Sequence, residues 1–167
     1  ILKYEKQLGI KVNDDIFKLL TQETPLIHDD VKGGAYFKPS SNVVNIPIDE
    51  RRKASKWYAE AVVYHEYGHA ADWQNKIKEL PEVKNLMDKF RKQFSMNKNA
   101  RYRSIDDELW NMGSKAYLNG EFDLSNQIGA AHDTLMSLNS NFGAGHSKSY
   151  FKQPGLSEAE FIAHDFE

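Results

Sequence analysis

The sequence contains no cysteine. That excludes a disulfide framework, a thiol nucleophile and any metal site built on thiolates, and it agrees with a reducing compartment. No apolar run approaches the roughly 18 residues needed to span a bilayer, and no basic-then-apolar leader stands at the start. Neither charge dominates. Lys and Arg number 22 against 24 Asp and Glu, a formal net charge of −2, and the basic residues are dispersed. A nucleic-acid groove or a polybasic membrane patch is therefore not expected. Any bound metal must take its ligands from His, Asp and Glu.

What is present is ordinary globular material. Hydrophobic residues make up 40% of the 167 and charged residues 28%, enough for a substantial core without covalent staples. The length suits one domain, here with a helical insertion expected over about residues 78–140. The chain opens at Ile1 and closes at Glu167 inside a helix-like pattern, so we read it as a piece of a longer polypeptide.

Along the chain, Asn13 or Asp14 caps a short helix carrying Ile16, Phe17, Leu19 and Leu20, stopped by Thr24-Pro25. His28-Asp29-Asp30 reads as a surface turn. A hairpin follows: a strand at residues 35–38, a turn at 39–42 and a strand at 43–48. Pro47 cannot donate to a ladder, so the second strand is expected at a sheet edge or ending there. A long helix then runs from Asp49 or Ser55 to about Ile77. Pro81 fits the first turn of another helix, with an apolar stripe of Val83, Leu86, Met87 and Phe90. Ser104-Ile105-Asp106-Asp107 reads as a capping box opening a helix to Gly120. Leu124, Ile128, Ala131, Leu135 and Leu138 mark an amphipathic helix, residues 139–156 a loop, and Ser157 the start of a final helix to Glu167.

Residues His65-Glu66-Tyr67-Gly68-His69 form the pattern H-E-x-x-H inside the long helix. Positions i and i+4 lie about one turn apart on one face, so two imidazoles can converge on one cation. Glu66 stands at the edge of that face, where it can take a proton from a water that the cation acidifies. The preceding strand offers an edge on which an extended peptide can be held. Asp72, three residues past His69, is placed to orient a ligand imidazole.

A catalytic zinc takes three protein ligands and leaves a fourth position open. The spacing leaves several third ligands possible: Asp106, Asp107, Glu108, His132, His146, Glu160 and His164. Asp106 and Asp107 are equally explained by the capping box, and His132 by a solvated position on an amphipathic helix. Glu160 could reach back to Ser157 as a helix cap, yet Glu160, His164 and Glu167 share one face at i, i+4 and i+7.

Two stretches carry a resemblance. HEYGHAAD, residues 65–72, resembles the zinc helix of the gluzincin-type peptidases, and in particular is similar to the catalytic domain of anthrax lethal factor. AEFIAHDFE, residues 159–167, resembles that group's downstream helix, where a Glu is followed by two apolar residues and an Ala. The resemblance implies zinc held by His65, His69 and Glu160, with Glu66 as general base. His164 stands where the family has a second acidic residue, and we assign it to the surroundings of the ligands with Asp72. The lethal factor domain also has a Tyr ahead of its acidic helix. Tyr150 is the nearest counterpart and His146 a second candidate, either being suited to stabilise an oxyanion. The stretch GAGHSKSYFKQPGLSEAEFIAHDFE, residues 143–167, is similar to the C-terminal domains of tailed-phage and prophage minor head proteins.

The expected fold is therefore α+β and zincin-like, mostly helical, with a small sheet or hairpin before the active-site helix. The expected activity is zinc-dependent hydrolysis of peptide bonds, in the cytoplasm or on a virion. A protein or peptide is the substrate, capsid or portal proteins are possible partners, and neither nucleic acid nor membrane is engaged. The rival expectation is a structural or interaction module of a minor head protein that keeps a metal or has lost it.

Overall fold

The computed structural model describes residues 1–29, 31–94, 99–143 and 145–167, and for residues 31 and 99–102 the backbone alone. Eleven named elements matter here. In chain order they are α1 (Leu2–Leu8), α2 (Asp14–Leu20), β1 (Leu26–His28), β2 (Tyr36–Lys38), β3 (Val43–Asn45), α3 (Glu50–Ala54), α4 (Lys56–Asn75), α5 (Pro81–Gln93), α6 (Asn99–Leu118), α7 (Phe122–Leu138) and α8 (Leu156–Asp165). The architecture is α+β, mostly helical with one three-stranded sheet.

The sheet has the order β1-β3-β2, with β1 parallel and β2 antiparallel to β3. One expectation is corrected here: His28 belongs to a strand rather than a turn. Of the two alternatives for the strand at Val43, an edge place or an end at Pro47, the second holds, for the strand is central. Asp30, expected in that turn, lies outside the described residues. The ladder does stop where proline requires. Asn45 is the last paired residue, the N–H of Ile46 still donates to His28 O at 2.8 Å, and Pro47 has no hydrogen to continue.

Both expected starts of the long helix are true caps, because the stretch is two helices. Asp49 accepts from the N–H of Arg52 and opens α3; Ser55 accepts from the N–H of Tyr58 and opens α4. Ser55 is itself buried, and its hydroxyl donates to Asp123 at 2.6 Å. The cap thereby ties the start of α4 to that of α7. Lys76, in the left-handed conformation, ends α4 by donating to Asp72 O.

α4 runs through the middle of the molecule and is apolar on more than one side. One side meets the sheet: Phe17 stacks on Tyr67 with centroids 3.8 Å apart, among Val44, Ile46, Ala59 and Val63. A second core gathers Met87 of α5, Leu135 and Leu138 of α7, Phe142 and Phe161 of α8. Val83 and Phe90 pack against it as the stripe predicts, whereas Leu86 is exposed. On α7, Ile128, Leu135 and Leu138 are buried, while Leu124 and Ala131 face out.

Two capping boxes expected from sequence do not form. α6 begins at Asn99, so Ser104 is interior to it. α8 is entered from Gly155 at φ 79°, which puts Ser157 second in the helix with no side-chain cap bond. Among the described residues no helix is long and apolar enough to cross a membrane.

Candidate metal centre

α4 and α8 pack against each other without a side chain between them at Gly68. A β-carbon there would stand 3.0 Å from Ala163 Cα and 3.0 Å from the Phe166 ring. This close approach brings the faces carrying His65, His69 and Glu160 together. His65 Nε2 and His69 Nε2 lie 3.2 Å apart. Glu160 Oε2 is 3.5 Å from His65 Nε2, and Glu160 Oε1 is 3.5 Å from His69 Nε2.

These separations suit a small tetrahedral cation. Bonds of about 2.0–2.1 Å at tetrahedral angles leave ligand atoms about 3.3 Å apart. Glu160 is 1% exposed, and among the described residues its Oε2 is buried without a hydrogen-bond partner. A carboxylate oxygen left bare in the interior is costly, and one turned toward the His65 imidazole, with its sister oxygen turned toward that of His69, is what a cation would satisfy. Among the described residues, His65, His69 and Glu160 form one of two groups able to hold a metal ion; His65, His164 and Glu167 form the other.

Protonation follows from the crowding. Burial pushes Glu160 up, but His146, His65, His69 and Tyr150 outweigh it and hold the carboxyl well below the usual range. Burial opposes a charge on His65, but Glu160 and Glu167 overcome this and raise it to about 10. His69 falls to about 4, chiefly through burial, with Glu160 opposing and His65 adding to the fall. Glu66 is buried, which lifts it to about 7 against the pull of His65.

Around this triangle the other expected residues divide. Tyr150 donates its hydroxyl to Glu160 Oε1 at 2.5 Å, and His146 Nε2 lies 3.4 Å from the same oxygen. Their rings stack, centroids 4.0 Å apart and planes within 12°. The loop before His146 is held against α7 by Gly143, at φ 84°, where a β-carbon would stand 2.6 Å from Met136 Cβ. His146 touches Glu160 but is not in the three-ligand group. His164 is near His65, centroids 4.7 Å apart, and its Nδ1 is 3.2 Å from Glu167 Oε2.

Asp72 requires a correction. It lines the same cleft, but its carboxylate accepts from the N–H of Lys78 at 2.6 Å, with Lys78 Nζ 3.7 Å away. It secures the turn after α4. The carboxylate beside a ligand imidazole is Glu167, whose Oε1 lies 2.9 Å from His65 Nδ1, close but off the hydrogen-bonding axis. Sequence had already put Glu167 on the face of Glu160 and His164; what it missed is that this face meets His65.

The remaining candidate ligands fall elsewhere. His132 is buried rather than solvated, and Asp106 Oδ1 accepts from it at 2.5 Å and from the N–H of Gly143 at 2.6 Å. Asp107 and Glu108 are exposed on α6.

The cleft over the triangle measures about 420 Å³. Its walls include Tyr36 and Phe37 of β2, Glu66, Trp73 and Leu156. Among the described residues β2 pairs only with β3, so the edge beside the cleft belongs to β2. In comparison with known proteins, no family model matches the chain, and no curated protein or solved structure matches it.

Proposed function

We propose that this chain is a zinc-dependent peptidase domain of zincin type, with His65, His69 and Glu160 as ligands and Glu66 as general base. The observation that carries the reading is the convergence of three side chains: the two imidazole Nε2 atoms lie 3.2 Å apart, and Glu160 sets Oε2 3.5 Å from that of His65 and Oε1 3.5 Å from that of His69, with Glu66 buried in the same cleft. Three protein ligands, rather than four, favour a reactive site over a closed structural one.

A bound zinc ion would supply Lewis acidity, polarising a carbonyl and acidifying water. The chain supplies the rest. Glu66, lifted to about 7 by burial, can both accept and return a proton near neutral pH. It takes one from the attacking water and delivers it to the leaving amine. The free edge of β2 holds an extended peptide by main-chain hydrogen bonds. His146 and Tyr150, stacked beside Glu160, are the donors nearest an oxyanion, Tyr150 once its hydroxyl turns from Glu160. Glu167 and His164 fix the orientation of His65.

The likeness of residues 143–167 to minor head proteins supports a parent protein that works in a phage or prophage head, with capsid or portal proteins as neighbours and substrates. The test is hydrolysis of an unfolded generic protein, with and without chelator, by native protein and by Glu66→Gln. We expect chelator-sensitive cleavage, and a Glu66→Gln protein that keeps its zinc and loses at least 100-fold in rate, the scale of one acid–base group. Full activity in Glu66→Gln would remove the assigned base; zinc bound without cleavage would favour a structural module.

A further inference from the structure

The same face of α4 continues past the ligands. His65, His69 and Trp73 follow at intervals of four, and Trp73 lines the cleft with both imidazoles. A helix rises 1.5 Å per residue, so Trp73 sits about 6 Å along the axis from His69. That is close to two residues of an extended chain at about 3.3 Å each. The indole is large, apolar and 54% exposed, and Tyr36 of β2, 40% exposed, lines the same cleft. The Tyr36 ring is seated over Gly33, where a β-carbon would stand 3.2 Å from it. Two exposed aromatics beside a buried polar centre form an apolar rim that water covers poorly.

Charge narrows what the rim can accept. Lys78 Nζ already lies 5.9 Å from the Trp73 ring centroid, so a substrate ammonium on the indole would meet a like charge. Asp72, Glu66 and Glu160 line the same cleft, so an acidic side chain would meet carboxylates. An uncharged aromatic or large aliphatic side chain meets neither.

We propose that Trp73, with Tyr36, determines specificity, and that the cleft takes extended peptides bearing Phe, Tyr, Trp or Leu about two residues from the bond cut. This rests on the peptidase reading for its substrate class, and it can be tested apart from turnover. Two ten-residue peptides, identical except for a single Phe or Ala in a Ser/Ala background, are titrated calorimetrically into zinc-loaded Glu66→Gln protein. We expect the Phe peptide to bind about tenfold tighter or more, as burial of one ring against an aromatic wall implies. In Glu66→Gln with Trp73→Ala the preference should shrink to about threefold or less, and Tyr36→Ala should reduce it partly. Equal binding of the two peptides, no binding of either, or a preference that survives Trp73→Ala overturns the proposal. If the preference is present and the native protein cuts neither peptide, the specificity stands and the peptidase reading fails.

Discussion

Tyr150 donates its hydroxyl to Glu160 Oε1 at 2.5 Å across a separation of ten residues. The phenol is thus engaged with the acid that would hold the ion, and from there it must turn to reach an oxyanion. Both duties act through one hydroxyl. A hydrogen bond to a charged group contributes about 1.5–3 kcal/mol. We expect Tyr150→Phe to weaken zinc binding about tenfold and to slow hydrolysis by more than that. Competition with a chromophoric chelator reads the first effect and initial rates the second; equal losses in both would leave Tyr150 with the ligand alone.

Glu167 lies 2.9 Å from His65 Nδ1 and reaches His164 with its other oxygen. Partners of this kind hold a ligand ring in place, and their loss costs about 10–100-fold in metal affinity. Glu167→Gln should fall in that range while the chain stays folded, as judged by circular dichroism. An unchanged affinity would mean that the ring is held by packing against His164.

Gly68 allows the contact on which the ligand triangle depends. Alanine in its place would gain up to about 1 kcal/mol of helix propensity, but a β-carbon 3.0 Å from Ala163 Cα forces α8 outward. Overpacking of this kind costs about 1–3 kcal/mol. Gly68→Ala should therefore lose on the order of 1 kcal/mol in denaturant unfolding. It should lose proportionately more in zinc affinity, because α8 carries Glu160.

Asp133 gives the metal-free chain a pH dependence. Burial lifts its carboxyl to about 6 against the pull of His164, and among the described residues its Oδ1 is buried without a hydrogen-bond partner. An unfolded chain loses that proton near the ordinary value of 3.8. Between these values the folded state holds more protons than the unfolded one, so this group's contribution to stability falls as pH rises through the window. Asp133→Asn should remove that slope, gaining on the order of 2 kcal/mol relative to the native chain between pH 4 and 7. Urea unfolding in chelator at both pH values measures the difference; parallel curves would show that the carboxyl is solvated.

How much of this was legible depended on how local the signal was. His65, Glu66 and His69 share one helix, and its period alone brings the two imidazoles together. Glu160 was ambiguous because Ser157 offered it a cap. The structure resolves this through Gly155, whose left-handed backbone enters α8 earlier and leaves Ser157 inside the helix. β1 was hidden because Leu26-Ile27-His28 is only three residues with no apolar–polar alternation in sequence, and its parallel partner lies beyond β2. His132 reads as solvated until Asp106, on another helix, is seen to bond it. Asp72 was placed on the right face, but its oxygens were claimed by Lys78 N–H six residues on.

The spacing of the candidate ligands along the chain would also govern when an ion can be held. Two of the three arrive together on α4, and the third comes about ninety residues later on α8. An ion that meets the growing polypeptide early finds only a pair of imidazoles and exchanges freely. Durable capture would wait for α8 to return, after the entropy of closing that long loop has been met by the apolar contacts of Phe161 and its neighbours. Retention of zinc would thus report that α8 has docked, and a nascent chain stalled before residue 160 should release its zinc to a weak chelator.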